Sequence, residues 1–363
     1  MVLCLNNDDV TSLLDMPTCV KVLEEGFREF GMGMAVATNR RDSFSPTKQP
    51  NVFYRLNTME GIVHKLGVSA QRIDSERITW ENVGGQTRQI ELPSKDNYFV
   101  GLIYLYSIED CRLLAIMNDS QIQRMRVAGI CGVAAKYLSR KNSSVLGLFG
   151  SGWQAEAQVT AMSAVRDLSL VKVYSPTPSH RRDFATRMTK ATGIDVRAVD
   201  DPLDVTRGAD IVSVATNARE PVCKSHMVSA GQHLTSIGGA DFDEESWNMC
   251  DLIYLCAKGL HEKYLMADPQ MRPDLSKDHM FSSGGVDKNL YSRFASRTRY
   301  IPDLLVGNSP IRTSEQQITL FQKTGTSQGI EFASTAKAVY DLAVKKGFGK
   351  ETPDEWFVQR TPQ

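Results

Sequence analysis

Val145-Leu-Gly-Leu-Phe-Gly150-Ser-Gly152-Trp-Gln-Ala155-Glu-Ala reads as a buried strand, a glycine turn and the start of a helix. That layout suits a dinucleotide pyrophosphate. Gly150 permits the tight turn, and Gly152 lets the backbone approach the phosphates. Ala155 is small enough for the helix to pack on the strand, and the helix N-terminus faces the anion. Ser151 and Gln154 complete the cofactor-binding candidates of the turn. A bare glycine pattern also matches ordinary turns, so its setting decides its weight.

Downstream, Val171–Tyr174, Ile211–Ala215, His233–Ile237 and Leu252–Leu255 are short apolar runs separated by helical stretches. Repeated strand–helix units of this length predict right-handed crossovers and a parallel sheet whose strands are apolar on both faces. Upstream, residues 120–139 read as one long helix. Before it, Asp8–Asp15 and Cys19–Phe30 carry apolar residues at helical spacing, while Asn51–Leu56, Ile62–Ser69 and Val100–Tyr106 alternate as half-buried strands do. Segment 74–97 is polar, contains Gly84-Gly85, and reads as a loop or hairpin insertion. Beyond residue 300, Gln316–Phe321 and Gly329–Gly347 read as amphipathic helices that return to the first part of the chain. The aromatics of Thr352-Pro-Asp-Glu-Trp-Phe call for cover, which makes that segment a terminal anchor.

Composition narrows the function classes. Lys+Arg and Asp+Glu both number 42 among 363 residues, so no charge excess draws the chain to nucleic acid or an anionic membrane. The N-terminus lacks the basic start and long apolar core of a signal peptide, and no apolar run approaches bilayer length. The seven cysteines are scattered without paired spacing, which predicts free thiols in a reducing cytoplasm; Cys250 and Cys256 lie in a strand-like segment and read as buried. The six histidines form no close pair or triad, so no metal site is expected.

Over nearly its full length the chain resembles the ornithine cyclodeaminase/mu-crystallin family. The carrying segments are Gly61–Ser69, Ile122–Ala128, Val145–Ala155, Ala209–Asn217 and Gly231–Asp241, in this order and spacing. The resemblance implies an α/β fold: a Rossmann-type parallel-sheet cofactor domain (residues 121–309) inserted in a discontinuous α+β substrate-binding and dimerisation domain (1–120 and 310–363). It further implies a homodimer. Family members include lyases that cyclise ornithine, amino-acid dehydrogenases and reductases of ketimines and imino acids.

By the same resemblance, Lys65 matches the catalytic lysine. In its apolar, mid-strand context, burial would lower its pKa and let it donate a proton to a carbonyl or imine nitrogen. A lysine on the open face of a half-buried strand is the ordinary alternative. Asp241 looks like the acidic residue at the reacting carbon, at the C-terminal end of an expected parallel strand; otherwise it is a helix N-cap, a role for which Asp243 competes. Arg126 resembles the arginine that grips a substrate carboxylate through its planar fork. Around it the chain has Gln123-Arg-Met-Arg126-Val127 where many members have Thr-x-x-Arg-Thr. A second carboxylate-binding arginine falls at Arg41, with Arg40 and Arg72 as alternatives; a solvated surface charge is the ordinary reading of any of the three.

The second strand of the parallel set ends Tyr174-Ser175-Pro-Thr177, with Arg181 and Arg182 beyond. An acidic residue there normally holds the adenosine ribose hydroxyls and rejects a 2′-phosphate. Here Ser175, Thr177 and Arg181 suit that phosphate, so NADP(H) is expected, with NAD as the alternative. Thr216-Asn217 and Gly238 lie at the ends of the next strands, beside the expected cofactor path. The leading reading is an NAD(P)H-dependent oxidoreductase acting on an imine or amino acid that carries a carboxylate. A cyclodeaminase-type lyase with retained NAD and a non-catalytic ligand-binding protein are the alternatives.

Overall fold

In the computed structural model the described residues are 1–83, 86–94, 98–218, 220–238, 241–258, 264–266, 292–325 and 327–359. The chain separates into two units: Met1–Gln123 with His261–Phe281 and Thr326–Gln363, and Arg124–Leu260 with Ser282–Gly325.

The first unit is built on a mixed ten-stranded sheet. Its centre is the antiparallel pair Val52–Val63 and Val68–Val83, in register from Val52↔Thr79 to Val63↔Val68. Segment 74–97 contributes the hairpin: the end of Val68–Val83 pairs with Gln86–Leu92, while Gly84-Gly85 lies outside the described residues. The helices Met16–Gly31 and Gln328–Lys346 pack together, and the second lies on the two central strands. Asp15 caps the first of these through its side chain, which accepts from the Thr18 N–H at 2.8 Å. Close approach of the second depends on two glycines. A Cβ on Gly329 would sit 1.8 Å from the Glu60 carbonyl oxygen, and one on Gly61 would sit 2.3 Å from the Gly329 carbonyl carbon.

Two expectations fail in this unit. The Ile62–Ser69 strand is interrupted by a 3₁₀ turn at His64–Leu66, closed by Gly67 at φ +66°. A glycine inside an alternating run is a known mark of such a break. Segment 352–357 does not cover its aromatics as expected. Lys350–Thr352 pairs with Val2–Leu5 and the terminal amine meets Asp354 at 2.6 Å, while Trp356 stays 74% exposed.

The second unit carries an eight-stranded sheet, parallel throughout. Its order is Asp195–Ala198, Leu170–Tyr174, Val145–Phe149, Ile211–Val214, His233–Ser236, Thr319–Gln322, Leu252–Leu255 and Thr298–Tyr300. The four strands from Ile211–Val214 to Leu252–Leu255 in this order are buried at every position, as interior parallel strands must be. Strand order reverses between Val145–Phe149 and Ile211–Val214. That reversal is the switch point outside which open α/β sheets bind ligands.

Gln316–Phe321 is therefore not an amphipathic helix. Thr319–Gln322 is an interior strand between two strands from much earlier in the chain. Four residues buried on both faces show no period by which sequence could tell strand from helix. The stretch 260–300 contributes the short strand Tyr264–Met266, parallel to Arg41–Pro46 in the first unit's sheet. His261 and His279 lie outside the described residues. Among the described residues no helix is long and apolar enough to cross a membrane, and no cluster of His, Cys, Asp or Glu could hold a metal. Cys250 and Cys256 are buried, and burial pushes the Cys250 thiol up to about 12.

Candidate functional site

The Val145–Phe149 strand delivers the chain to Gly150 at φ +110°, where the Gly150 N–H donates to the Tyr174 carbonyl at 2.8 Å. A side chain is barred twice here, because a Cβ would also lie 2.3 Å from the Ala215 carbonyl oxygen. Gly152 then caps the helix Trp153–Ser163 without any side-chain bond, leaving the first-turn N–H groups directed outward. Where a Cβ would stand on Gly152 there is open space within 4 Å. Ala155 is fully buried, and the Gln154 Oε1 is buried without a partner among the described residues. An uncapped helix start, the open space over Gly152 and the buried Gln154 Oε1 suit a pyrophosphate with adjoining ribose hydroxyls.

The neighbouring strand end has no acidic side chain at Ser175, which instead accepts from the Ser151 hydroxyl at 2.9 Å. Arg181 does not face a ligand as expected. Its Nη1 donates to the Ser175 carbonyl at 2.9 Å, its Nη2 meets the Asp200 carboxylate, and its guanidinium lies 5.5 Å from the Tyr174 ring centroid. Arg181 thus closes the strand end from within. Thr177 and Arg182 remain exposed beside it. Thr216 is half-buried, with its hydroxyl accepting from the Ala218 N–H at 3.2 Å, and Asn217 is exposed.

Asp241 follows the His233–Ser236 strand and is 1% exposed. Its Oδ2 accepts from the Ser236 hydroxyl and from the Gly238 N–H at 3.0 Å. Burial pushes this carboxyl up to about 6, against the opposing pull of those two donors. The capping alternative is removed, because Asp243 accepts from the Ser246 N–H at 3.0 Å and is the N-cap of Glu244–Met249. Ser236, which sequence reading passed over, is what orients Asp241.

A raised carboxyl pKa has a stability consequence of definite sign. The folded state holds the Asp241 proton up to about 6, while an unfolded aspartate releases it near ~3.9. The stabilisation is complete below that unfolded value and is lost as pH rises through about 6. Urea unfolding of Asp241→Asn should therefore gain on the wild type by up to about 1.4 kcal/mol per pH unit between roughly pH 4 and 6. Parallel pH curves for the two proteins would contradict it.

Lys65 is not buried in a strand. It occupies the 3₁₀ turn with its side chain 71% exposed, 3.9 Å from Glu29. The burial expected of it in sequence is therefore absent from this structure. Arg72 is buried and saturated: it bonds Asp119 at 2.6 Å, Asp74 at 2.8 Å and Asn57 at 2.5 Å. It is a structural arginine rather than a carboxylate site. Arg40 is taken by Asp42 at 2.9 Å, whereas Arg41 is exposed with no ion pair among the described residues. Arg126 is buried on the Ser120–Leu138 helix. The acidic partners of Arg72 and Arg181 lie as far as 47 and 19 residues along the chain, beyond any local motif.

A glycine cradle on a parallel sheet at its switch point defines a dinucleotide-binding protein of the Rossmann class. The chain belongs to the ornithine cyclodeaminase/mu-crystallin family, whose model matches residues 2–347. It is 26% identical over 351 residues to the alanine dehydrogenase of Archaeoglobus fulgidus, covering 96% of this chain and 97% of that protein. It is also 26% identical over 254 residues to a Delta(1)-pyrroline-2-carboxylate reductase of Bacillus cereus, covering 69% and 73%. Among solved structures, the Thermococcus litoralis Delta(1)-pyrroline-2-carboxylate reductase in complex with NADH and L-proline superposes with a TM-score of 0.76. The two are 26% identical, with 97% of this chain and all of that one covered.

Proposed function

We propose that this chain is an NAD(P)H-dependent oxidoreductase acting at the carbon–nitrogen bond of a small imino or amino acid. The observation that carries the reading is the Gly150–Gly152 cradle, with its open space and uncapped helix start. Similarity to reductases and dehydrogenases of imino and amino acids supports the substrate class. When bound, the nicotinamide supplies or accepts the hydride.

Gly150, Ser151, Gly152, Gln154 and Ala155 would hold the pyrophosphate and adjoining ribose, with Thr216, Asn217 and Gly238 along the path beyond. The absence of an acid at Ser175, with Thr177 and Arg182 exposed beside it, supports NADP(H) over NAD(H). Lys65, an exposed ammonium, would protonate the imine nitrogen in the reductive direction. Asp241 would balance the cationic character of the protonated imine through Oδ1, since Oδ2 already takes the Ser236 and Gly238 donors. Arg41 and Arg126 would hold the substrate carboxylate. The working form would be a cytoplasmic homodimer.

A panel of cyclic ketimines, and of 2-oxoacids with ammonia or methylamine, tests the reading with NADPH and NADH side by side. Consumption of NADPH that depends on the imine and disappears in Lys65→Ala is expected. Ammonia release from ornithine with no net change in nicotinamide redox state would replace it with the lyase. Cofactor binding without turnover of any substrate would leave a binding protein.

A further inference from the structure

The Ser120–Leu138 helix places Arg124 against the first turn of the Trp153–Ser163 helix. Its guanidinium lies 5.4 Å from the Trp153 ring centroid, and its Nη2 donates to Glu156 Oε2 at 2.7 Å. The other Glu156 oxygen takes Arg187. The Arg124 Nε is buried with no partner among the described residues. Trp153 directly follows Gly152, so this cluster borders the cradle.

Charge decides what the cluster is for. A carboxylate in a first turn complements the helix dipole, but it opposes a pyrophosphate that must bind at the same end. Two guanidinium groups on one carboxylate turn that repulsion into a net single positive charge. Ser151, the one hydroxyl of the Gly150–Gly152 turn, is directed to Ser175 and leaves the phosphates without a side-chain partner there. Stacking on Trp153 holds the guanidinium plane in place at little entropic cost. From this geometry we infer that Arg124 is a cofactor-binding residue, supplying the charge complement of the pyrophosphate. The inference rests on the dinucleotide reading above.

Calorimetric titration with ADP-ribose, adenosine and NADH separates the two. In Arg124→Met, which keeps apolar cover on Trp153, ADP-ribose should bind about tenfold more weakly, the fold-change of one lost charge-assisted contact. Adenosine, which lacks the pyrophosphate, should keep its affinity. Glu156→Gln should shift ADP-ribose the other way, tightening it by roughly threefold and steepening its salt dependence. Unchanged ADP-ribose affinity in Arg124→Met, or an equal loss for adenosine, would overturn the role of Arg124 alone. A wild-type protein that binds neither ADP-ribose nor NADH would overturn the dinucleotide reading and the inference with it.

Discussion

Asp241→Asn should lower kcat about 10²–10⁴-fold, the range for loss of a positioned acid–base or charge-balancing group. Affinity for the reduced cofactor should stay within about twofold, because no pyrophosphate contact is assigned to that side chain. Asparagine preserves the shape and can still accept from the Gly238 N–H, so the fold at the strand end is kept. What it loses is the ionisable carboxyl that burial holds near about 6. Ser236→Ala offers an independent check. The Ser236 hydroxyl favours the charged form of Asp241, so its removal should move the Asp241 limb of the kcat/KM pH profile upward. Full activity in Asp241→Asn would remove Asp241 from the chemistry.

Gly150→Ala and Gly152→Ala should separate stability from binding, although the two glycines are two residues apart. At Gly150 the φ of +110° is essentially closed to alanine, and the new Cβ would face the Ala215 carbonyl oxygen at 2.3 Å. Strain of about 1–3 kcal/mol, added to that clash, should lower Tm by roughly 5–10 °C and disrupt the turn. At Gly152 the backbone is extended, with φ −90°, and nothing lies within 4 Å of a Cβ. Alanine there should leave Tm almost unchanged while weakening NADPH at least about tenfold, because the methyl group enters the space left for phosphate. Equal NADPH affinity in Gly152→Ala and the wild type would show that the open space is not the pyrophosphate cradle.

The strand–turn–helix around Gly150 was readable in sequence because all its determinants are local: apolar run, glycines, small residue and helix start. The parallel sheet was readable for the same reason, strand by strand. Thr319–Gln322 was not, since its strand character comes from neighbours contributed by residues 233–236 and 252–255. The 3₁₀ turn that carries Lys65 does have a mark in sequence, Gly67 within the alternating run. Arg72 and Arg181 show the harder limit. Sequence marks an arginine as a possible anion ligand, but only the fold shows that Asp119 or Asp200 has already taken it. Asp241 illustrates the converse: its competitor Asp243 is the helix cap, and the nearby Ser236 and Gly238 donors, five and three residues before it, define its setting.

Hydride transfer to the carbon that bears nitrogen is tested most directly with reduced nicotinamide carrying deuterium at both C4 positions. After turnover with a cyclic ketimine carboxylate, mass spectrometry of the amino-acid product should find deuterium on that carbon, one atom per cofactor oxidised. Product formed with that carbon unlabelled, both deuterium atoms remaining on the nicotinamide, would contradict the proposed chemistry.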